Sequence, residues 1–295
     1  EASPVLAEVQ LGRLREAGLS PERVEVVHLP SDSWVEEPAH VQPSEGPWFV
    51  LALELLDNLP HDKLRVVEGS AGADLYEAFV EADDEQGLRE GFRPLRDPTL
   101  ATVAAMLRLD CREGLDELEA AMLTPPIGTN ELLADLQGFV FGAMAHASGP
   151  SAERDVFVPT ASWLLLRHIC ESFPEHQLTL ADFNYLPPPP GRAVNNPVVQ
   201  SQALGHTHDW GGDYLAAPPG KADVMFATHF DSLEFLHAAA RSWRSASSPI
   251  VSASTLSTAD FMRRYADVDS TRCADGYNPL LEDFSNTSVL VTPSA

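Results

Sequence analysis

One uninterrupted apolar run, Trp48 to Leu53, constrains the fold of this chain more than any other segment. Consecutive apolar residues without polar alternation are typical of a strand that is buried on both faces of a parallel sheet. The run gives way at once to a polar segment, 54–62, which we call the acidic corner. Because ligands of open α/β sheets bind beyond the carboxyl ends of the strands, Glu54 and Asp57 in this corner are candidate site residues.

Elsewhere the chain alternates predicted strands with predicted helices, a pattern that favours an α/β fold with a mostly parallel sheet. Runs of β-branched and apolar residues predict strands at 24–29, 177–181, 222–227 and 288–291, and a hairpin at 64–67 and 75–80. Capping residues predict that helices begin near Ser3, Asp97, Thr160, Asp231 and Ser257. The polar residues 81–97 are predicted to form a solvated loop.

The predicted elements divide the chain into three parts. Residues 1–84 and 151–295 together form one α/β domain, and 151–295 also carry the substrate-side loops. Residues 85–150 form a helical insert between them. The chain opens almost directly in a helix, with Pro4 at its first position. We therefore expect the sheet's first strands to lie upstream of Glu1 in a longer protein. We also expect the Trp48–Leu53 strand of this chain alone to present an unpaired apolar edge.

The charge balance restricts the partners of the chain. Its 19 Lys and Arg residues face 44 Asp and Glu residues, for a formal net charge of −25. Such a chain repels the phosphates of nucleic acids and anionic membrane surfaces, whereas a basic protein segment is a compatible partner. No apolar run approaches the ~20 residues of a membrane-spanning helix, and the composition leaves a homodimer open.

Other residues offer competing sites. His206, His208, Asp209 and Asp213 lie close together, but alternating histidines in a Gly-rich segment are more typical of polar surface than of a metal site. The three cysteines have no close spacing, so we predict neither a disulfide framework nor any metal site. The acids of the acidic corner are as compatible with helix capping as with catalysis.

Several segments resemble one known family. Residues 1–14 read Glu-x-Ser-Pro-x-Leu-x-x-x-Gln-x-x-x-Leu, and residues 53–60 read Leu-Glu-Leu-Leu-Asp-Asn-Leu-Pro. Further matching segments are 158–160, 181–183, 195–200, 223–233 and 275–281. In this order they resemble the MidA-type S-adenosylmethionine-dependent methyltransferases, relatives of the mitochondrial complex I assembly factor that methylates arginine. The family signature at 53–60 is Asn-Glu-Phe-Phe-Asp-Ala-Leu-Pro, so Leu53 and Asn58 depart from it.

The resemblance implies a class I methyltransferase fold, Rossmann-like, that lacks its first strands in this chain. It implies S-adenosylmethionine as the cofactor and an arginine of a mitochondrial protein as the acceptor. Glu54 and Asp57 then correspond to the catalytic acids. The cofactor would be bound by the family's glycine-rich loop, placed before this chain, and by the residues Glu1, Asp32, Ser33 and Trp34.

Two other function classes stay open at this point. The departures from the signature are compatible with a non-catalytic assembly or scaffold protein that retains the methyltransferase fold. A metal-dependent hydrolase would instead use His206 and His208. The glycine-rich loop separates the methyltransferase from the scaffold protein, because an intact loop favours the enzyme and a degraded one favours the scaffold.

Overall fold

The computed structural model describes residues 3–19, 47–69, 72–83, 87–123, 153–187, 193–203, 205–244 and 253–293. The described helices and strands, in chain order, are α1 (Pro4–Glu16), β1 (Trp48–Leu53), β2 (Asp62–Gly69), β3 (Gly72–Asp83), β4 (Gly87–Pro94), α2 (Pro98–Met106), α3 (Arg112–Leu123), β5 (Glu153–Val158), α4 (Thr160–Ser172), β6 (His176–Phe183), β7 (Val198–Ala203), β8 (His206–Asp209), β9 (Asp223–Met225), α5 (Phe230–Arg244), β10 (Ser254–Ser257), α6 (Thr258–Tyr265), α7 (Pro279–Glu282) and β11 (Thr287–Val291).

These strands form three sheets. The first has the order β1-β6-β11-β10, the second β4-β3-β2-β5 and the third β8-β7-β9. The architecture is therefore mixed α/β, as predicted in its coarse class. A mostly parallel sheet is not confirmed, because among the described strands only β1 and β6 pair in parallel. Short connections join β2 to β3 and β3 to β4, and short connections allow only antiparallel pairing.

The capping pattern at the first helix is confirmed. The Ser3 side chain accepts a hydrogen bond from the backbone N–H of Leu6, and Pro4 occupies the first turn. Arg13 and Arg15 lie in the last turn, where positive charge complements the helix dipole. Sequence-local chemistry thus defines both ends of this helix.

The predicted hairpin is confirmed by the pairing of β2 with β3, but a second strand pairing was missed. β4 occupies 87–94, where the sequence predicted a loop, and it pairs along its whole length with β3. It has no apolar run that would predict a buried strand, and all of its residues lie exposed or half-buried at the edge of the sheet. Arg93 adds an ion pair to the buried Glu77 of β3, with 2.7 Å between Nε and Oε1. The predicted domain boundaries stay a prediction.

Part of the core lies between the first sheet and two helices. Ala52, Leu178 and Leu180 from β1 and β6 belong to the same buried cluster as Leu166 of α4 and Leu236 of α5. Removing their apolar surface from water stabilises the fold by roughly 25 cal/mol per Å². Helices α4 and α5 therefore cover one face of the sheet.

The opposite face of β1 differs from the prediction of burial on both sides. Phe49, Leu51 and Leu53 are 73%, 70% and 66% exposed. Among the described strands, β1 pairs only with β6 and lies at the edge of its sheet. The exposed apolar edge that the sequence predicted is thus present in the described part of the chain. The predicted strand 24–29 lies outside the described residues.

Candidate active site

The acidic corner lies where the two parallel strands end. Leu53 at the end of β1 pairs with Ala181 of β6, and the Glu54 N–H continues the ladder to the Ala181 carbonyl at 2.8 Å. Glu54 therefore leaves β1 beside Asp182, the second-last residue of β6, at the carboxyl ends of the two strands. This is the position at which α/β sheets bind ligands, as the sequence predicted for Glu54 and Asp57.

Asp182 holds the acidic corner in place. Its carboxylate accepts hydrogen bonds from the backbone N–H groups of Leu56 at 2.7 Å, Asp57 at 3.2 Å and Phe183 at 2.7 Å. The side chain is fully buried. Asp182 was not predicted as a site residue, although an available signal was that it follows the predicted strand 177–181 directly. Its partner segment lies about 125 residues earlier in the chain.

Asp57 lies inside the corner, only 2% exposed. Its Oδ1 accepts a hydrogen bond from the Asn58 amide at 2.7 Å, and its backbone carbonyl accepts one from the Phe226 N–H at 2.9 Å. The side chain is thus enclosed by the turn that follows β1. Asp57 is therefore a buried acid and not a solvated one, although it follows the end of a strand closely.

Burial and neighbouring charge raise the pKa values of the two buried carboxyl groups. Burial raises the pKa of Asp57, and the negative charge of Glu54 raises it further. Burial also raises the pKa of Asp182 to about 6, with the charge of Asp57 as the second cause. The hydrogen bonds from backbone N–H groups act in the opposite direction, but they are outweighed. Asp57 and Asp182 therefore bind protons more tightly than ordinary carboxylates do.

Glu54 has a different environment from the two buried acids. Its side chain is exposed, and its φ of 49° lies in the left-handed region that non-glycine residues rarely adopt. Such backbone conformations carry strain of about 1–3 kcal/mol and occur often at functional sites. Glu54 thus presents a negative charge to solvent directly beyond the end of β1.

A second segment closes the corner from the side of β9. The ring of Phe226 stacks on the imidazole of His61, with 3.9 Å between centroids, and the Thr228 N–H donates to the Phe183 carbonyl at 2.8 Å. Burial lowers the pKa of His61 to about 4, so this ring is neutral at neutral pH. The cavity beside it, lined in part by Phe157, has a volume of about 30 Å³. That space accommodates about one water molecule.

The remaining predicted residues do not join this site in the described structure. Glu1, Asp32, Ser33 and Trp34 lie outside the described residues. His206 and His208 lie exposed on β8, and the ring of His208 packs edge-on against Trp210. Within the described ranges, the group of side chains that could bind a metal includes neither histidine. None of the helices described is long and apolar enough to cross a membrane.

A family model, described as "Putative S-adenosyl-L-methionine-dependent methyltransferase", matches residues 1–248. No curated protein matches the chain. Two solved structures from Burkholderia thailandensis were found, each with a TM-score of 0.48 and each aligned over 97% of this chain. One is an uncharacterized protein, 14% identical over 63% of its own length. The other, described as a "likely methyl transferase" bound to S-adenosyl-homocysteine, is 12% identical over 61%. The chain thus spans less than two thirds of each.

Proposed function

Because the family match covers most of its length, this chain belongs to a family of S-adenosylmethionine-dependent methyltransferases, and we propose that it transfers a methyl group to a protein arginine. The predicted cofactor, S-adenosylmethionine, is confirmed as that of the family. The arginine acceptor is our proposal. It rests on the placement of the exposed Glu54 carboxylate at the carboxyl edge of the parallel strands β1 and β6.

The chemistry of the acceptor fits this carboxylate. A guanidinium is a planar cation that carboxylates bind with two parallel hydrogen bonds. When bound, the cofactor supplies a methyl group on a sulfonium, and the transfer depends strongly on how the acceptor is positioned. Glu54 binds and orients the guanidinium, and a carboxylate at this place can take up the proton that the nitrogen releases.

The buried acids have a supporting role in this proposal. Asp57 is too enclosed to contact a substrate in the described conformation, so it acts on Glu54 through the shape of the turn that both residues share. Asp182 fixes that turn by its bonds to the backbone of Leu56 and Asp57. We therefore assign Glu54 as the catalytic residue and Asp57 as a positioning residue.

The cofactor and partner assignments extend the proposal beyond the described residues. Carboxylates at strand ends of nucleotide-binding α/β folds accept hydrogen bonds from ribose hydroxyls, which supports Glu1 in this role. Asp32, Ser33 and Trp34 complete the proposed cofactor site. The net charge of −25 supports a basic protein segment as the acceptor. By family resemblance, we propose that this acceptor is a mitochondrial protein and that its methylation serves complex I assembly.

The proposal is tested with Glu54→Gln in the full-length protein, supplied with radiolabelled S-adenosylmethionine and mitochondrial extract. We expect methyl incorporation into arginine to fall about 100-fold, because the proton acceptor and the guanidinium partner are both lost. Cofactor binding by isothermal titration should stay unchanged. Glu81→Gln, an exposed acid on β3, is the matched control. Equal incorporation by Glu54→Gln and wild type would contradict the role of Glu54.

One observation favours the second candidate, a non-catalytic scaffold. Asn58 stands where the resembled signature has Ala, and its amide donates directly to the Asp57 carboxylate. This bond occupies an oxygen of a predicted catalytic acid. If the full-length protein binds partner proteins but incorporates no label in any variant, the scaffold function replaces methyl transfer.

A further inference from the structure

Three buried side chains with metal-binding atoms meet at the amino end of β6. Cys170 lies in the last turn of α4, His176 is the first residue of β6, and His237 lies in the middle of α5. Their exposed fractions are 2%, 1% and 0%. One donor atom from each, a sulfur and two imidazole nitrogens, lies within 4.8 Å of both others.

The two imidazoles face each other with the spacing of ligands on one metal ion. Their Nε2 atoms are 3.3 Å apart, and the ring planes are nearly perpendicular. Two nitrogens bound tetrahedrally to zinc at 2.0–2.1 Å are themselves about 3.3 Å apart. The spacing also suits a hydrogen bond between the rings. The third donor, the Cys170 sulfur, distinguishes this cluster from a simple histidine pair.

The surroundings prepare His176 for a metal. Its Nδ1 lies 2.6 Å from the Phe173 carbonyl oxygen, so Nδ1–H donates there and the lone pair of Nε2 faces His237. Metal-binding histidines commonly donate their second ring nitrogen to a carbonyl in this way, which fixes the ring and its tautomer.

We propose that Cys170, His176 and His237 bind one zinc ion that links α4, β6 and α5. A set of two imidazole nitrogens and one thiolate suits zinc, and the fourth tetrahedral position is taken by a ligand other than these three side chains. On binding, the Cys170 thiol releases its proton to solvent and the thiolate sulfur donates an electron pair to the ion. In the described part of the chain, the Arg241 charge acts on both histidines, and the thiolate offsets the cost of placing a cation near it.

The site lies away from the acidic corner. His176 and Asp182 are six residues apart on β6, a distance of about 20 Å at the usual strand rise. A metal at the amino end therefore connects α4, β6 and α5 without touching the transferred methyl group. The inference is independent of the proposed function, because loss of zinc and loss of methyl transfer are measured separately.

The test uses purified protein that is stripped with a chelator and then titrated with Zn²⁺ or Co²⁺. We expect one ion to be retained per chain after dialysis and the melting temperature to rise with zinc and fall with chelator. With Co²⁺, a thiolate-to-metal charge-transfer band should appear. Cys170→Ser should abolish this band and His237→Gln should weaken retention of the ion. Cys273→Ser, at an exposed cysteine, is the matched control that should change neither.

The Co²⁺ spectrum of the wild-type protein decides the matter even if the variants fail to fold. Absence of the charge-transfer band, together with equal melting temperatures in zinc and chelator, would overturn the zinc site. The cluster would then be a buried histidine pair joined by a hydrogen bond. A band that persists in Cys170→Ser but disappears in Cys273→Ser would likewise overturn it.

Discussion

Both ends of β6 hold buried polar groups, but the groups at one end contact backbone donors and those at the other end contact other side chains. At the carboxyl end, Asp182 is surrounded by backbone N–H donors that belong to the acidic corner and to its own strand. At the amino end, the Nε2 atoms of His176 and His237 face each other at 3.3 Å, and Cys170 offers a third donor atom close to both histidines. A buried group that is satisfied by backbone donors fixes a turn, whereas converging donor atoms of several side chains suit a metal ion.

The largest expected effect follows from removing the acceptor at the carboxyl end. Asp182→Ala leaves the N–H groups of Leu56, Asp57 and Phe183 without their acceptor, and each such loss costs about 1–3 kcal/mol. We expect the free energy of unfolding to fall by at least about 3 kcal/mol in a denaturant titration. Asp182→Asn keeps one acceptor oxygen and should cost less. Equal stability of Asp182→Ala and wild type would mean that the corner is not held by this carboxylate.

The second-largest effect is the pH dependence of the free energy of unfolding that Asp182 causes. The folded-state pKa of Asp182, about 6, lies above its ordinary value of 3.8, so the folded protein binds this proton more tightly than the unfolded chain. The stabilisation is fully present below about pH 4 and is lost as the pH rises to about 6, by up to about 3 kcal/mol. We expect the stability difference between wild type and Asp182→Asn to change over this window. If this stability difference stays constant from pH 4 to pH 7, the pKa of Asp182 in the folded protein is close to its ordinary value.

The smallest effect separates strain from chemistry at Glu54. Glycine adopts a φ of 49° without the steric cost that glutamate bears, so Glu54→Gly should raise the free energy of unfolding by about 1 kcal/mol. The same change should abolish arginine methylation. Glu54→Ala is the control, because it removes the carboxylate and retains the strain. If glycine and alanine give the same stability, the backbone at this position stores no strain that the side chain causes.

Local patterns in the sequence predicted part of the acidic corner, which lies at the carboxyl end of β6, but not the cluster of Cys170, His176 and His237 at its amino end. The apolar run 48–53 followed by acids predicted the strand and the position of Glu54, because strand formation and chain reversal depend on neighbouring residues. Asp182 as the support of the corner was missed because its partners lie far away in the sequence. Cys170 and His237 were missed for the same reason, since no short spacing relates them.

The sequence by itself determined where five helices begin and where several strands lie, as well as the net charge and the acids that follow β1. Ser3 and Pro4 define the start of α1, and the polar segment 54–62 ends β1, through contacts within a few residues. Only the tertiary structure decided which distant elements meet: the pairing of β2 with β5 and of β6 with β11, the exposed face of β1, the enclosure of Asp57 and the cluster around His237. The reason is that burial and pKa depend on groups brought together across the chain, which local patterns do not encode.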